Sequence, residues 1–269
     1  MSCYDGRMIK GINNKAKRII WTLSAIVVFV LLWWLLSITT ASTFLPSPLQ
    51  AVEALFRRLS APKGMSHVGI SVFRVTLGTL LGAIVGTTLG VATRYVRVAE
   101  VVVRSVIYPL LQSVPTICWA LVFILWIGLN GVAPTLSVMV AVIPFFIINT
   151  WEGMKELDTN LIEMASSYTR SPFKILGKVI MPMLYPYLFA ATKSSFMTSW
   201  RIIIPAEIFG ATSGMGYRVH YAFSNNQIDD VFGWTLAFAA ILIFFDYGVF
   251  NFIDRKFVRK WKPREIKPL

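Results

Sequence analysis

The chain has 269 residues, of which 56% are hydrophobic and only 14% are charged, and its formal net charge is +13. Its mean hydropathy of +0.64 excludes an ordinary soluble domain and is typical of an integral membrane protein. A nucleic-acid-binding protein is also excluded, because the basic residues collect near the chain ends rather than on one folded domain. A spanning helix needs about 20 apolar residues, so the length limits the chain to about six or seven spans.

The cysteines and histidines give no sign of a metal or catalytic site. Cys3 and Cys118 are too far apart for a metal-binding spacing and too few for a disulfide framework. His67 and His220 are likewise isolated. We therefore assign no metal ligand and no catalytic residue.

Apolar runs predict six membrane-spanning helices. The first run, at 19–40, follows five basic residues, and a short amphipathic stretch opened by two prolines comes next at 44–59. The later predicted spans lie at 70–95, 105–128, 133–151, 183–208 and 231–253. The predicted fold class is therefore an all-α integral membrane protein.

The distribution of Lys and Arg predicts the orientation, because positively charged loops stay on the cytoplasmic side. With the N-terminus inside, 19 of the 26 basic residues lie in cytoplasmic segments and only 4 in outside loops. Both termini are therefore expected in the cytoplasm. The predicted layout is a cytoplasmic tail at 1–18, a transmembrane domain at 19–253 with a cytoplasmic loop at 152–182, and a basic tail at 254–269.

Four glycines recur at a strict spacing of four in the second predicted span. They are Gly78, Gly82, Gly86 and Gly90. This spacing places them on one face of the helix and lets another helix approach closely. Glycine is also simply common in membrane helices, but four in register favour a packing face.

The segment 158–182 predicts a helix, a turn and a second helix. Leu161, Met164, Ala165 and Tyr168 recur at i, i+3, i+4 and i+7, which places them on one stripe. Asp158 can cap the first helix. Ser171 and Pro172 suit the N-cap and first position of the second helix.

Two interpretations of this apolar stripe remain open. It lies against lipid headgroups or its own bundle, which periodicity alone favours, or it fills a groove on a soluble partner.

A family resemblance bears on that choice. Glu163, Ala165 and Pro182 match the EAA loop of the permease subunits of bacterial ATP-binding-cassette importers, which this segment resembles. Met164, Thr169, Val179 and Met181 depart from the motif.

In that family the loop is the coupling helix that docks into a cleft of the ATPase subunit. The resemblance therefore implies ATPase docking by Asp158, Leu161, Glu163, Met164, Ala165, Tyr168, Thr169, Arg170, Ser171 and Pro172.

The resemblance covers about four fifths of the chain. "LPSP" after the first span, "VPTICWALVFILWIG" at 114–128, "NTWEGMKELD" at 149–158 and "SWRIIIPAEIFGATSGMGY" at 199–217 are similar to the nitrate, sulfonate and taurine branch of these permeases. It implies a fold like that of type I importer permeases.

The nucleotide-binding motif G-x-x-x-x-G-K-[ST] is absent from the sequence. No cofactor is expected in this chain, and the resemblance implies that ATP and Mg are bound by a separate ATPase.

The resemblance also implies the partners. They are a second permease copy, two ATP-binding subunits, an extracytoplasmic substrate-binding protein and the lipid of the bacterial cytoplasmic membrane. We expect a homodimer, in part because of the glycine face, with a heterodimer as the alternative. Relatives handle sulfonates, taurine, nitrate, bicarbonate or thiamine-precursor pyrimidines, so the substrate stays open within small, chiefly anionic solutes.

Charged residues inside the predicted spans are candidates for the translocation path. Arg201 and Glu207 should point inward, either as a pair made possible by a kink at Pro205 or as groups that line the path for an anion beside Trp200. Asp246 is expected to be tied to a neighbouring helix.

Two other classes compete with the importer permease. A secondary transporter or channel should show inverted repeats or a broken helix pair with intramembrane carboxylates, and a membrane enzyme should show a catalytic constellation. The sequence shows no clear repeat, few candidate carboxylates and only two distant histidines.

Overall fold

The computed structural model describes residues 5–39 and 44–254, and this part of the chain is helical apart from its connections. The helices are α1 (Asp5–Thr39), α2 (Pro48–Ser60), α3 (Gly64–Tyr95), α4 (Arg97–Ser113), α5 (Thr116–Ile127), α6 (Val132–Lys155), α7 (Thr159–Tyr168), α8 (Pro172–Gly210), α9 (Met215–Ser224) and α10 (Ile228–Ile253). Short π-helical turns lie within α4, α8 and α10.

Within the described residues, five helices are long and apolar enough to cross a membrane: α1 from Ile20 onward, α3, α6, α8 and α10. Helices α4 and α5 meet at an angle of 88° and make a sixth span if they cross together. Since α1 begins at Asp5, the predicted tail at 1–18 is largely continuous with the first span. Residues 1–4 and all but the first residue of the predicted tail at 254–269 lie outside the described residues.

The span predicted at 105–128 is not one continuous helix, because the chain breaks at Val114 and Pro115. Proline has no N–H to donate and disfavours the helical conformation of the residue before it. Val114 is accordingly extended, with φ −79° and ψ 122°. Helix α4 therefore ends at Ser113 and α5 starts in a new direction at Thr116.

The glycine face of α3 lies directly on α6. A Cβ atom at Gly78 would lie 2.7 Å from the carbonyl oxygen of Thr135, and one at Gly86 would lie 2.7 Å from that of Ile143. Gly82 and Gly90 face α6 in the same way. The backbones approach this closely only because no Cβ atom intervenes. Because α6 of the same chain already covers this face, the face is not available to a second copy. The expectation that the glycine face supports a homodimer is therefore wrong.

The core is built around Trp200 of α8, which is fully buried. Its indole ring packs on Phe196 of the same helix and on Phe238 and Phe245 of α10. The expected tie of Asp246 to a neighbouring helix is confirmed, because its carboxylate lies 3.3 Å from Nζ of Lys193. Helices α3, α6, α8 and α10 are thereby joined into one bundle.

Helix α2 is fastened to the start of α10 by charge. The buried carboxylate of Asp230 accepts hydrogen bonds from Arg58 and, at 3.1 Å, from Arg57. Ser47 and Gln50 form a reciprocal capping box at the start of α2. These contacts hold the amphipathic helix across one end of the bundle.

Candidate coupling surface and translocation face

Helix α7 is a short capped helix that stands between two membrane helices. The carboxylate of Asp158 accepts a hydrogen bond of 2.9 Å from the backbone N–H of Asn160, as expected of an N-cap. Ser171 occupies the N-cap position of α8 and Pro172 its first helical position, although the Ser171 side chain makes no capping hydrogen bond. The helix, turn and helix expected at 158–182 are all present.

The turn after α7 uses ordinary backbone geometry. Thr169 stands where the EAA motif has glycine, and its φ of −150° and ψ of 133° are extended values that any residue adopts. Its hydroxyl also accepts a hydrogen bond from the N–H of Ser171. The departure from the motif at this position therefore leaves the turn intact.

One side of α7 holds it to the bundle. Ile162 packs on a small apolar cluster formed by Met154 and Leu157 at the end of α6 and by Ile180 and Leu184 of α8. Because these four side chains are buried, α7 is fixed to both helices that flank it.

Most of the predicted stripe is uncovered, and so is Phe173, which lies outside the stripe at the start of α8. Tyr168 and Phe173 are 86% and 84% exposed, and Leu161 and Met164 are 41% and 56% exposed. We call these four residues the coupling surface. Ala165 is half-buried, whereas Glu163 and Arg170 are exposed beside the surface. The bundle itself therefore does not cover the stripe, so of the two interpretations contact with lipid headgroups and contact with a soluble partner both stay open.

The carboxylate of Glu207 lies in a buried polar network, away from Arg201. Nη1 of Arg74 donates to its Oε1 at 2.8 Å, and the hydroxyl of Ser71 contacts both carboxylate oxygens at 2.9 and 2.8 Å. The N–H of Gly216 donates to Oε2 at 2.9 Å. The suggested pair between Arg201 and Glu207 is therefore wrong, because α3 supplies the cation.

The loop between α8 and α9 closes over this Glu207 network. Arg74 also donates to the carbonyl and hydroxyl oxygens of Ser213, at 2.7 and 2.9 Å. Gly214 has a φ of 108°, and a Cβ atom there would overlap the Glu207 carboxylate, so only glycine fits. Its N–H donates to Nδ1 of His67 at 3.1 Å.

Sequence reasoning missed Ser71 as a partner of Glu207, Ser213 as a partner of Arg74, and His67 as the acceptor of the Gly214 N–H. The available signal was the run Ser213-Gly214-Met215-Gly216 directly after the helix, since clustered glycines allow a close backbone approach.

Of the three path candidates, only Arg201 is exposed. Glu207 and Trp200 are fully buried within the bundle, so the surface of this chain does not present them to a path. Within the described residues, no acidic side chain pairs with Arg201. An unpaired arginine in a membrane helix is costly unless it faces water or another protein.

Polar side chains extend this part of α8 into a face. Ser194 is exposed and Thr198 is half-buried, at i−7 and i−3 from Arg201. We call Ser194, Thr198 and Arg201 the polar face of α8. Its spacing of i, i+4 and i+7 was readable from the sequence, yet only Arg201 was singled out there.

The broken span lies beside α8. A Cβ atom at Gly210 would lie 2.8 Å from the side chain of Ile124, so α5 packs on the end of α8. At the break, Gln112, Ser113 and Thr116 are exposed. Helix α8 thus joins the coupling surface to a polar face that has no cover within the described part of the chain.

Comparison with known proteins identifies the family of this chain. A family model described as binding-protein-dependent transport system inner membrane component matches residues 78–262. The putative aliphatic sulfonates transport permease protein of Bacillus subtilis is 28% identical over 82% of this chain and 79% of its own length. The Escherichia coli taurine transport system permease protein is 22% identical over 87% of each chain.

Two further similarities extend the comparison. The bicarbonate transport system permease protein of Synechococcus elongatus is 24% identical over 83% of this chain and 84% of its own. Among solved structures, an inward-facing MetNI methionine ABC transporter superposes with a TM-score of 0.58 at 19% identity, over 78% of this chain and 97% of that one. In ABC importers, ATP hydrolysis belongs to a separate ATPase component. Because the family model matches well over half of the chain, this multi-pass membrane protein belongs to the inner membrane components of binding-protein-dependent transport systems, which are the permease subunits of such importers.

Proposed function

We propose that two copies of this chain form the path for a small anionic solute across the bacterial cytoplasmic membrane, driven by ATPase subunits that grip the coupling surface. The observation that carries this proposal is the continuity of α8, which runs from Pro172 beside the coupling surface past the exposed Arg201 to Gly210. Thirty-nine residues of helix span roughly 58 Å. In this proposal, motion at the Pro172 end is passed along α8 to the polar face in its second half.

The coupling surface is proposed to face the cytoplasm and to fill a cleft of the ATPase. Exposed Leu161, Met164, Tyr168 and Phe173 present apolar and aromatic side chains of the kind that anchor protein interfaces. The charges of Glu163 and Arg170 lie at its edge, where they select the partner's orientation. The excess of basic residues on this side of the predicted topology supports the orientation.

The path is proposed to lie between two copies, with each polar face forming one wall. Arg201 and Ser194 are exposed in a single chain, and hydrocarbon is an unfavourable environment for both. A second copy around a shared two-fold axis would enclose them with water. A sister permease in place of the second copy is the alternative assembly.

The proposed substrate class is a small anion. Arg201 is the exposed cation of the polar face, and the hydroxyl of Ser194 can donate to an oxyanion, whereas Thr198 donates its hydroxyl to the carbonyl oxygen of Ser194 at 3.0 Å. Relatives are named for aliphatic sulfonates and bicarbonate, both of which are anions. An extracytoplasmic binding protein would deliver the solute, and ATP and Mg would be bound by the partner ATPase.

Reconstitution tests the proposal. The permease, its ATPase and its binding protein are placed in liposomes, and uptake of labelled sulfonate, taurine, nitrate and bicarbonate is measured with each component omitted in turn. The expected result is uptake that requires ATP, the ATPase and the binding protein. Uptake by the permease alone would establish a secondary transporter or channel instead.

Two differently tagged copies of the chain test the assembly. Their co-purification with one ATPase preparation is expected for a homodimer. Recovery of only one tag together with a second permease would establish a heterodimer.

A further inference from the structure

Two basic side chains converge on one indole ring at the end of α6. The guanidinium carbon of Arg104 lies 4.4 Å from the ring centroid of Trp151, and Nζ of Lys155 lies 3.3 Å from it. Each contact is an attractive cation–π interaction, but it also brings two like charges to the same ring. Oε1 of Glu100 lies 3.2 Å from Nη1 of Arg104. Because this ion pair is exposed, it offsets little of the repulsion between the two basic groups. The cluster therefore favours an additional anion.

A pocket of about 300 Å³ opens beside this cluster. Arg94, Arg104 and Lys155 line it together with Glu100, so basic groups outnumber acidic ones by three to one. Arg94 uses one N–H on the carbonyl oxygen of Met154, at 3.0 Å, which fixes the guanidinium at the pocket wall. The walls thus present several charged donors to an entering anion.

A second, apolar pocket of about 240 Å³ shares part of this lining. Thr93, Arg104 and Trp151 border both pockets, and Tyr108, Ile147 and Ile148 complete the second. The two pockets form one amphipathic cavity, which we call the Trp151 pocket. Neither a free inorganic anion nor a purely apolar ligand would fill both parts.

The Trp151 pocket lies where membrane helices end. Arg94 belongs to the last turn of α3, and Lys155 is the final residue of α6. Tryptophan and basic residues are enriched at this depth, where lipid headgroups lie. Helix α4 presents exposed valines on its outer side, with Val98 71% and Val101 59% exposed, as a surface in contact with lipid does. The pocket is therefore open to the bilayer.

We propose that the Trp151 pocket binds an anionic phospholipid, with its phosphate held by Arg94, Arg104 and Lys155 and one acyl chain against Tyr108 and Ile148. Basic pockets between membrane helices bind such headgroups in other proteins. The site is separate from the coupling surface and from the polar face of α8. The proposal requires only that the chain lies in a membrane, so it stands apart from the transport function.

The test counts phospholipids retained by the full-length, detergent-purified protein in native mass spectrometry. Phosphatidylglycerol and phosphatidylcholine of equal chain length are titrated against the wild type and the Arg104→Gln/Lys155→Gln variant. Lys178→Gln, which removes an exposed charge of α8 outside the pocket, is the matched control. Ile148→Trp keeps every charge but fills the apolar part. Helical circular dichroism and a monodisperse elution profile show that each variant is folded.

The wild type and Lys178→Gln are expected to retain phosphatidylglycerol over phosphatidylcholine. Loss of two charges should weaken retention roughly 30-fold, and Ile148→Trp should also weaken it. Equal retention by all variants would overturn the site. Competition by glycerol phosphate as strong as that by phosphatidylglycerol would show a free-phosphate site and overturn the assignment to lipid.

Discussion

The carboxylate of Glu207 and the guanidinium of Arg74 form a buried ion pair of 2.8 Å that joins α8 to α3. Removing one partner leaves the other charge buried without compensation, so Glu207→Ala should destabilise the protein by about 3–5 kcal/mol. Thermal unfolding in detergent measures this. Glu100→Ala, which breaks the exposed pair with Arg104, should cost less than about 1 kcal/mol. Similar effects of the two changes would contradict the structural role of Glu207.

Gly82→Ala should destabilise the contact of α3 with α6. A Cβ atom there would overlap a methyl group of Val142 and lie 2.7 Å from the carbonyl oxygen of Met139. Overpacking of this kind costs about 1–3 kcal/mol. Adding Val142→Ala should restore only part of the loss, because the backbone oxygen remains.

Gly69→Ala is the matched control for that prediction. Gly69 lies on the same helix, but nothing is within 4 Å of its added Cβ atom. The melting temperature should stay unchanged or rise slightly, since alanine is the better helix former. Equal losses at Gly69 and Gly82 would argue against tight packing as the cause.

Met164→Asp should uncouple the ATPase without unfolding the permease. Met164 is 56% exposed, so the charge is tolerated in the isolated chain but not in an apolar cleft. We expect at least a tenfold fall in permease-dependent ATP hydrolysis by the reconstituted complex, equivalent to about 1.4 kcal/mol of docking energy. Glu163→Lys should also uncouple, by reversing a charge at the edge of the surface.

Ser167→Asp tests whether any negative charge on α7 is enough to uncouple the ATPase. Ser167 is exposed on α7, and its hydroxyl donates a hydrogen bond to the carbonyl oxygen of Glu163, at 3.2 Å. Hydrolysis should stay near the wild-type rate in this variant. Normal transport by Met164→Asp would refute docking at the coupling surface.

Arg201→Gln should lower anion uptake while the melting temperature stays unchanged, because the side chain is exposed and has no acidic partner within the described residues. Arg201→Lys keeps the charge and should retain more uptake. Initial rates in liposomes, with ATP hydrolysis measured in parallel, separate a path defect from a coupling defect. Full uptake by the glutamine variant would exclude Arg201 from the path.

Arg58→Gln should loosen α2 from α10. The hydrogen bond to Asp230 raises the pKa of Arg58 in the folded protein. The charge of Arg58 therefore stabilises the fold fully below the pKa of the unfolded state, and this stabilisation is lost only as pH rises through the higher pKa of the folded state. Hydrogen-exchange protection of α2 should therefore fall in the variant but stay constant through neutral and mildly alkaline pH in the wild type. Arg57, whose side chain is 57% exposed, should matter less.

Local signals in the sequence predicted local structure well. The cap at Asp158, the start of α8 at Pro172 and the close packing face on α3 each depend on residues adjacent along one helix. The break at Pro115 was also readable, but a continuous apolar run masked it. The periodicity of apolar residues shows which of them share one stripe of a helix, but it does not show which surface covers that stripe.

Contacts between residues far apart in the chain could not be predicted from the sequence. A pair of Glu207 with Arg201 was one of two interpretations because the two lie on one helix, whereas the partner Arg74 lies 133 residues away. Nothing in either local pattern distinguishes the two arginines. The burial of Trp200 likewise depends on rings contributed by α10, which no spacing within α8 reveals.

The π-helical turn at 176–180 and the internal prolines Pro186 and Pro205 have a mechanical consequence for α8. Each interrupts the regular hydrogen-bond ladder, so bending concentrates at these three points and the stretches between them move as stiff levers. Ser194, Thr198 and Arg201 all lie on the lever bounded by the two prolines. A tilt imposed at the Pro172 end would therefore move these three groups together, and the path proposed between two copies would change width in a single step.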